Sequence, residues 1–201
     1  MKFEIVGYSG HSYVVLDSLK GTNYNCVGYY DQEKKQNNPY ELSFLGHENN
    51  KTTILPIFIC IGDNLVRKSV AENLTKHPTI SILNSSASVS PKASINSQLV
   101  FVGNSATINS MAFVDKGVIV NTNAVIEHEV SISQYSHIGP NATVCGGCNI
   151  GQNVFIGAGA TIKQNVKIGD NCIIGAGTVV INDLNENCVY AGNPARLIKK
   201  L

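Results

Sequence analysis

The chain has almost no surplus of charge. Its 15 Lys and Arg stand against 14 Asp and Glu, a formal net charge of +1. Binding to nucleic acid or to an anionic membrane surface draws on an excess of basic groups, so neither is expected. No apolar run approaches the ~20 residues of a membrane-spanning helix. The opening MKFEIVGYSG lacks the apolar segment and small-residue cleavage site of a secretory leader. Six cysteines without a leader are expected as reduced thiols in a cytoplasmic protein. Cys145-x-x-Cys148 has no second, suitably spaced pair, so a packing role is expected for it rather than metal ligation. The length of 201 residues allows one or two domains with a proper core.

What the sequence does have is a six-residue beat. From Val102 to Val180 every sixth residue is Val or Ile: Val102, Ile108, Val114, Val120, Ile126, Ile132, Ile138, Val144, Ile150, Ile156, Ile162, Ile168, Ile174 and Val180. Two places before each stands a residue no larger than Val. Gly follows the aliphatic at 103, 139, 151, 157, 169 and 175. Neither a helix nor a plain strand repeats on six, whereas a β-solenoid of short stacked strands does. Three hexapeptides make a triangular coil, so residues 18 apart stack, at a rise of ~4.8 Å per coil. The small-x-aliphatic pairs Ala87/Val89 and Ala93/Ile95 start the register early. The step of seven from Ile95 to Val102 predicts one inserted residue near Ser97 or Gln98. Past Val180 the beat stops, and Asn193-Pro194 with Arg196 to Leu201 is expected to cap the open end.

The first eighty residues read differently. Residues 2–7 form a strand entering the turn Gly7-Tyr8-Ser9-Gly10-His11. A helix is expected over residues 12–21 with Gly21 at its end, then a strand over 24–30 up to Asp31. Residues 32–51 are polar and loop-like. The apolar run Ile54 to Ile61 suits a buried parallel strand. Asp63 or Asn64 can cap a following helix that His77-Pro78 ends, and a last strand is expected over 79–83. The expected division is an α/β unit over 1–84 and the solenoid over 85–201.

Only two His lie within the repeats, His128 and His137, and both fall in one coil. His128 sits two places past a core aliphatic, where an outward side chain is expected. One coil later come Gly146 and Gly147, so the surface above His128-Glu129 carries no side chain. A His beside such a notch suits a general base, with Glu129 orienting the ring and the Gly146 N–H facing a developing oxyanion. A surface His beside two acids is the plain alternative. Phe155 and Ile173 follow His137 in its column, an apolar strip for pantetheine or a neighbouring subunit. His11, in a tight Gly loop at the carboxyl end of a strand, reads as a ligand residue or as a helix start.

The repeat, the run VNTNAVIEHEVSI…SHIG and the ending GAGTVV…AGNPAR resemble the left-handed β-helix acyltransferases. With the loop Gly7 to His11 and the strand-turn-helix Phe58-Ile59-Cys60-Ile61-Gly62-Asp63-Asn64…Arg67, the whole chain resembles bacterial sugar N-acetyltransferases of the PglD/NeuD type. The resemblance implies an α/β N-terminal Rossmann-like subdomain followed by an all-β left-handed parallel β-helix. It implies a homotrimer with active sites between subunits, acetyl-CoA as co-substrate, no metal, and a UDP-amino sugar as acceptor. His128 would be the catalytic base, supported by Glu129, with Gly146 at the oxyanion. His137 would touch the acetyl-CoA end, and Ala158 and Ala176 would line its groove. Ser9, Gly10 and His11 would hold the nucleotide diphosphate, Asp31 the base or ribose, and Gly62 would approach the uracil. The expected reaction is conversion of UDP-4-amino-4,6-dideoxy-N-acetylglucosamine to UDP-N,N′-diacetylbacillosamine. Sialic acid O-acetylation and GDP-perosamine-type N-acetylation are the alternatives. Gly7-x-x-Gly10 is short of G-x-G-x-x-G, and Gln32 stands where some relatives carry a second acid, which leaves the base open. A γ-type carbonic anhydrase shares the solenoid but needs three His for zinc, against the two present in the repeats.

Overall fold

The computed structural model describes residues 1–201. Its first part is a parallel sheet of β1 (Lys2–Val6), β2 (Asn25–Tyr30), β3 (Ser43–Phe44) and β4 (Ile57–Ile59), in the order β3-β2-β1-β4. Phe3, Ile5, Ile57, Phe58 and Ile59 are buried between this sheet and its cover. The helix α1 (Gly10–Asp17) starts inside the glycine loop and stops before Leu19 and Gly21. Its end tightens: the N–H groups of Ser18, Leu19 and Lys20 turn to carbonyls three residues back, a 3₁₀ pattern that closes the helix without a glycine cap. Gly21 lies beyond it at φ +79°. Within the polar stretch, β3 adds to the sheet. Of the apolar run only Ile57–Ile59 is strand, while Ile54 is 90% exposed. The helix α2 (Asn64–Asn73) is capped by Asp63, whose carboxylate accepts from the Val66 N–H at 2.9 Å. It ends four residues short of His77.

The stretch expected as one strand over 79–83 divides. Thr79 bridges Ile57 of the α/β sheet, whereas β5 (Ile82–Leu83) pairs with Phe101–Val102 of the solenoid. From β5 to β21 (Val179–Val180) the chain winds as a left-handed parallel β-helix of two-residue strands on three faces, against the right-handed habit of parallel crossovers. In each strand the second residue points inward, and those from Val102 to Val180 are fully or almost fully buried. The small series fills the corners: Ala106, Ala124, Ala142 and Ala160 have no exposed surface. Cys148 and Cys172 belong to this series and donate their Sγ–H to the carbonyls of Lys163 and Asn185, each at 3.0 Å.

Upper coils pair residues 18 apart, such as Val120 with Ile138. Lower ones pair residues 19 apart, such as Ser94 with Phe113, so the extra residue falls between Ile95 and Phe101. Corners adopt left-handed backbone every sixth residue, at Asn123, Glu129, Tyr135, Asn141 and Gly147 among others. The glycines after the core aliphatic have another reason. A Cβ on Gly139 or Gly157 would lie 2.6 Å from the backbone of the next coil.

The outward residues define the three faces. The first, Phe101-Ile119-His137-Phe155-Ile173, is covered up to His137 by the α/β unit. The second carries Thr107, Val125, Thr143 and Thr161, and the third Phe113, Ser131, Asn149 and Lys167. The tail extends the first face: β22 (Cys188–Ala191) pairs with Ile173–Ile174, and β23 (Arg196–Lys200) lies antiparallel beside it.

Candidate active site

His128 stands on the edge between the second and third faces, just past the Val125–Ile126 strand. The corner is held by the Glu129 N–H on the Ser110 carbonyl (3.1 Å) and the Gly147 N–H on the His128 carbonyl (3.0 Å). Both side chains reach solvent, and His128 Nδ1 is 3.0 Å from Glu129 Oε2. A carboxylate only accepts, so Nδ1 carries a proton, and in the neutral ring the lone pair is then on Nε2. The imidazole lies against Gly146: a Cβ there would come within 2.5 Å of the ring. The Gly146 N–H makes no hydrogen bond within the chain, whereas the Gly147 N–H is spent on His128. The notch read from the 18-residue spacing is therefore occupied by the ring itself, with one free backbone donor beneath it.

A second group gathers on the first face. His137 is 7% exposed. Its Nδ1 meets the Gly62 carbonyl at 3.2 Å and its Nε2 meets Asn121 Nδ2 at 3.0 Å. Burial first, then the charge of Arg67 and the neighbouring His11, pushes His137 down to about 3. His11 is pushed to about 4 by burial and by Arg67. Its ring is edge-on to Phe101 and 6.1 Å from that of His137, and its Nε2 is buried without a partner. Beside His137 opens a cavity of about 490 Å³ bounded by Gly62, Leu65, Asn153, Phe155, Ile173 and Leu201. Both nitrogens of His137 are engaged within the chain, so the face and edge of the ring are what it offers to that space.

Ala158 and Ala176 are exposed and stacked on the corner that follows the first face, with the Gly177 N–H on the Ala158 carbonyl at 2.9 Å. Ser9 and Gly10 are exposed at the start of α1, and the N–H groups of Gly10, His11 and Ser12 have no backbone partner, the arrangement that receives phosphate at a helix start. Asp31 is half-committed: its carboxylate accepts from the Tyr8 and Gln32 N–H groups and pairs with Lys35 at 3.1 Å.

The chain thus brings Gly62, His11 and His137 together but leaves His128 apart. In a triangular prism the edge between the second and third faces lies opposite the first. Sequence reasoning missed two residues of the inner group. Asn121 stands in the column Gly103-Asn121-Gly139-Gly157-Gly175, where it alone has a side chain. Arg67 has a helical signal: with Asn64 and Ala71 it keeps the spacing of a buried face.

Residues 2–74 match the PglD N-terminal domain, and residues 129–164 and 147–182 match the bacterial transferase hexapeptide (six repeats). PerB from Caulobacter crescentus, solved with CoA and GDP-perosamine, superposes with a TM-score of 0.90 at 27% identity, over 99% of this chain and 98% of that one. The acetyltransferase domain of PglB from Neisseria gonorrhoeae, solved with acetyl coenzyme A, gives 0.89 at 28% identity over 98% of each. WeeI from Acinetobacter baumannii, 20% identical with a TM-score of 0.86 over 98% of this chain and 100% of that one, shares the fold. No helix is long and apolar enough to cross a membrane. The chain joins a PglD N-terminal domain to bacterial transferase hexapeptide repeats, and in fold and sequence it is similar to the PglD/NeuD-type sugar N-acetyltransferases of the left-handed β-helix class.

Proposed function

We propose that the enzyme transfers the acetyl group of acetyl-CoA to the amino group of a nucleotide-linked sugar, with His128 as general base. One observation carries the reading: Glu129 Oε2 accepts from His128 Nδ1 at 3.0 Å, so that in the neutral ring the Nε2 lone pair is in the open beside Gly146, whose N–H is free. The neutral sugar amine attacks the thioester carbonyl and forms the C–N bond, and His128 Nε2 takes the proton the nitrogen sheds. The oxyanion accepts from the Gly146 N–H. Collapse expels the CoA thiolate, which takes the proton back from the imidazolium. The free N–H groups at the start of α1 would hold the diphosphate, with Ser9, Gly10 and His11 around it and Asp31 and Gly62 toward the nucleoside. His137, Ala158 and Ala176 would line the path of the CoA arm.

The α/β unit and His128 lie on opposite sides of one prism. The resemblance implies a homotrimer, and this separation supports an arrangement in which one subunit's His128 meets a neighbour's first face. The preferred acceptor is UDP-4-amino-4,6-dideoxy-N-acetylglucosamine. GDP-perosamine is the second reading, favoured by the likeness to PerB with that ligand bound. The test offers acetyl-CoA with each of these sugars and with sialic acid, and follows thiol release. The UDP sugar is expected to react fastest, and turnover of sialic acid alone would overturn N-acetylation. In His128→Ala, kcat is expected to fall by about 10²–10⁴ with acetyl-CoA binding kept. Near-normal turnover would remove His128 from the mechanism.

A further inference from the structure

Arg67 is 1% exposed and has no carboxylate within salt-bridge reach. Instead, carbonyls ring the guanidinium. Nε donates to Gly117 O at 2.9 Å, Nη1 to Ile61 O and Gly62 O at 3.0 Å, and Nη2 to Tyr135 O at 2.7 Å and Asn64 Oδ1 at 2.9 Å. Two of these carbonyls belong to the solenoid and two to the turn after β4. Desolvation of an unpaired cation is expensive, so a residue that served packing alone would be better replaced by an apolar one of similar size.

The Gly62 carbonyl that Arg67 holds is the same one that faces His137 Nδ1. A carbonyl demands a proton on Nδ1. On the other side of the ring, the Asn121 amide has no freedom to flip, because its Oδ1 already accepts from the Thr122 N–H at 2.8 Å. Its Nδ2 therefore points at His137 and demands a lone pair on Nε2. Together the two contacts admit one state of the ring.

We propose that Arg67 is a positioning residue for acetyl transfer, pinning the Gly62 carbonyl against the solenoid and so fixing His137 as the neutral, Nδ1-protonated imidazole on Asn121. The role at the reaction rests on the reading that His137 borders the acetyl-CoA path; the state of the ring does not. Arg67 from α2 and His11 from α1 act against protonation of His137, and Asp63, at the start of α2, borders the same cavity.

The test uses the whole enzyme labelled with ¹⁵N-histidine, His137 being assigned by its loss in His137→Gln. In the wild type the proton is expected on Nδ1, with no titration down to about pH 5, since the ordinary histidine value is ~6.5. In Arg67→Met, His137 is expected to titrate closer to that ordinary range. There kcat/KM for acetyl-CoA should fall by up to about 100-fold, as for a slightly misplaced group, and its acid limb should move to higher pH. Arg67→Lys, which keeps the charge but not the fork, is expected to leave His137 untitrated with an intermediate kcat/KM. A purely structural Arg67 would lower Tm alone. Folded variants with wild-type kcat/KM and an unchanged His137 spectrum overturn the proposal. Should Arg67→Met fail to fold, the wild-type spectrum still decides, because a proton on Nε2 or titration near pH 6.5 sinks it. Absence of acetyl transfer to any sugar would instead defeat the proposed function and leave the ring assignment standing.

Discussion

Glu129 occupies backbone at φ 59°, in a column whose next members are Gly147 and Asn165. Left-handed backbone costs a residue with a full side chain about 1–2 kcal/mol, and Asn less. The strain places a carboxylate beside His128 where most corners carry Asn or Gly, the kind of local conflict found at working sites. In Glu129→Asn, Tm is expected to rise by about 2–4 °C while kcat falls. A lower Tm would show that the corner is not strained. The pair was legible in the sequence because Glu129 follows His128 directly and the glycines stand one coil on. The parts of Arg67 and of the inward-turned His137 were not, since their contacts to Gly117, Tyr135 and Gly62 span 50 to 75 residues of chain and only the docking of α2 on the first face joins them.

At the level of elements the six-residue rule applies unevenly to glycine. A Cβ on Gly157 would sit 2.6 Å from the Ala176 N and 2.7 Å from the Gly175 carbonyl carbon, whereas Gly159, at φ +67°, has nothing within 4 Å. Gly157→Ala is expected to cost about 1–3 kcal/mol by overpacking two coils. Gly159→Asn should stay within about 0.5 kcal/mol, because Asn serves at other left-handed corners. Denaturation midpoints compare the two directly, and equal costs would disprove the distinction. The solenoid strands were readable because stacking makes every coil repeat the same side-chain demand. The limits of α1 and β4 were not, because a 3₁₀ finish and an exposed Ile54 depend on what packs nearby rather than on propensity.

For the molecule as a whole, the junction between the α/β unit and the prism buries two histidines beside an arginine that no carboxylate pairs with. His11 and His137 have native values near 4 and 3, below the ~6.5 of the unfolded chain. Above pH ~6.5 neither state binds these protons. As pH falls below it the unfolded chain binds them first, so stability declines until the native values are reached, by up to about 1.4 kcal/mol per pH unit for each His. The expected outcome is a Tm that drops steadily from pH 6.5 to 4, measured against His11→Gln, in which the slope should be shallower. A slope unchanged by that substitution would clear His11 of the effect. The proposed trimer makes a separate prediction. His128→Ala and Ala158→Trp, each inactive alone, should regain partial activity when unfolded together and reassembled, because some interfaces then pair an intact base with an intact groove. No recovery would place both groups in one subunit's site.

The sequence by itself determined the prism, its 18-residue stacking and the placement of His128 over Gly146, because a periodic backbone turns spacing into geometry. Tertiary structure alone decided which face the α/β unit covers, and with it the burial of His137 and the ring of carbonyls around Arg67. Those follow from how two surfaces dock, a matter of shape and desolvation that no spacing along the chain encodes.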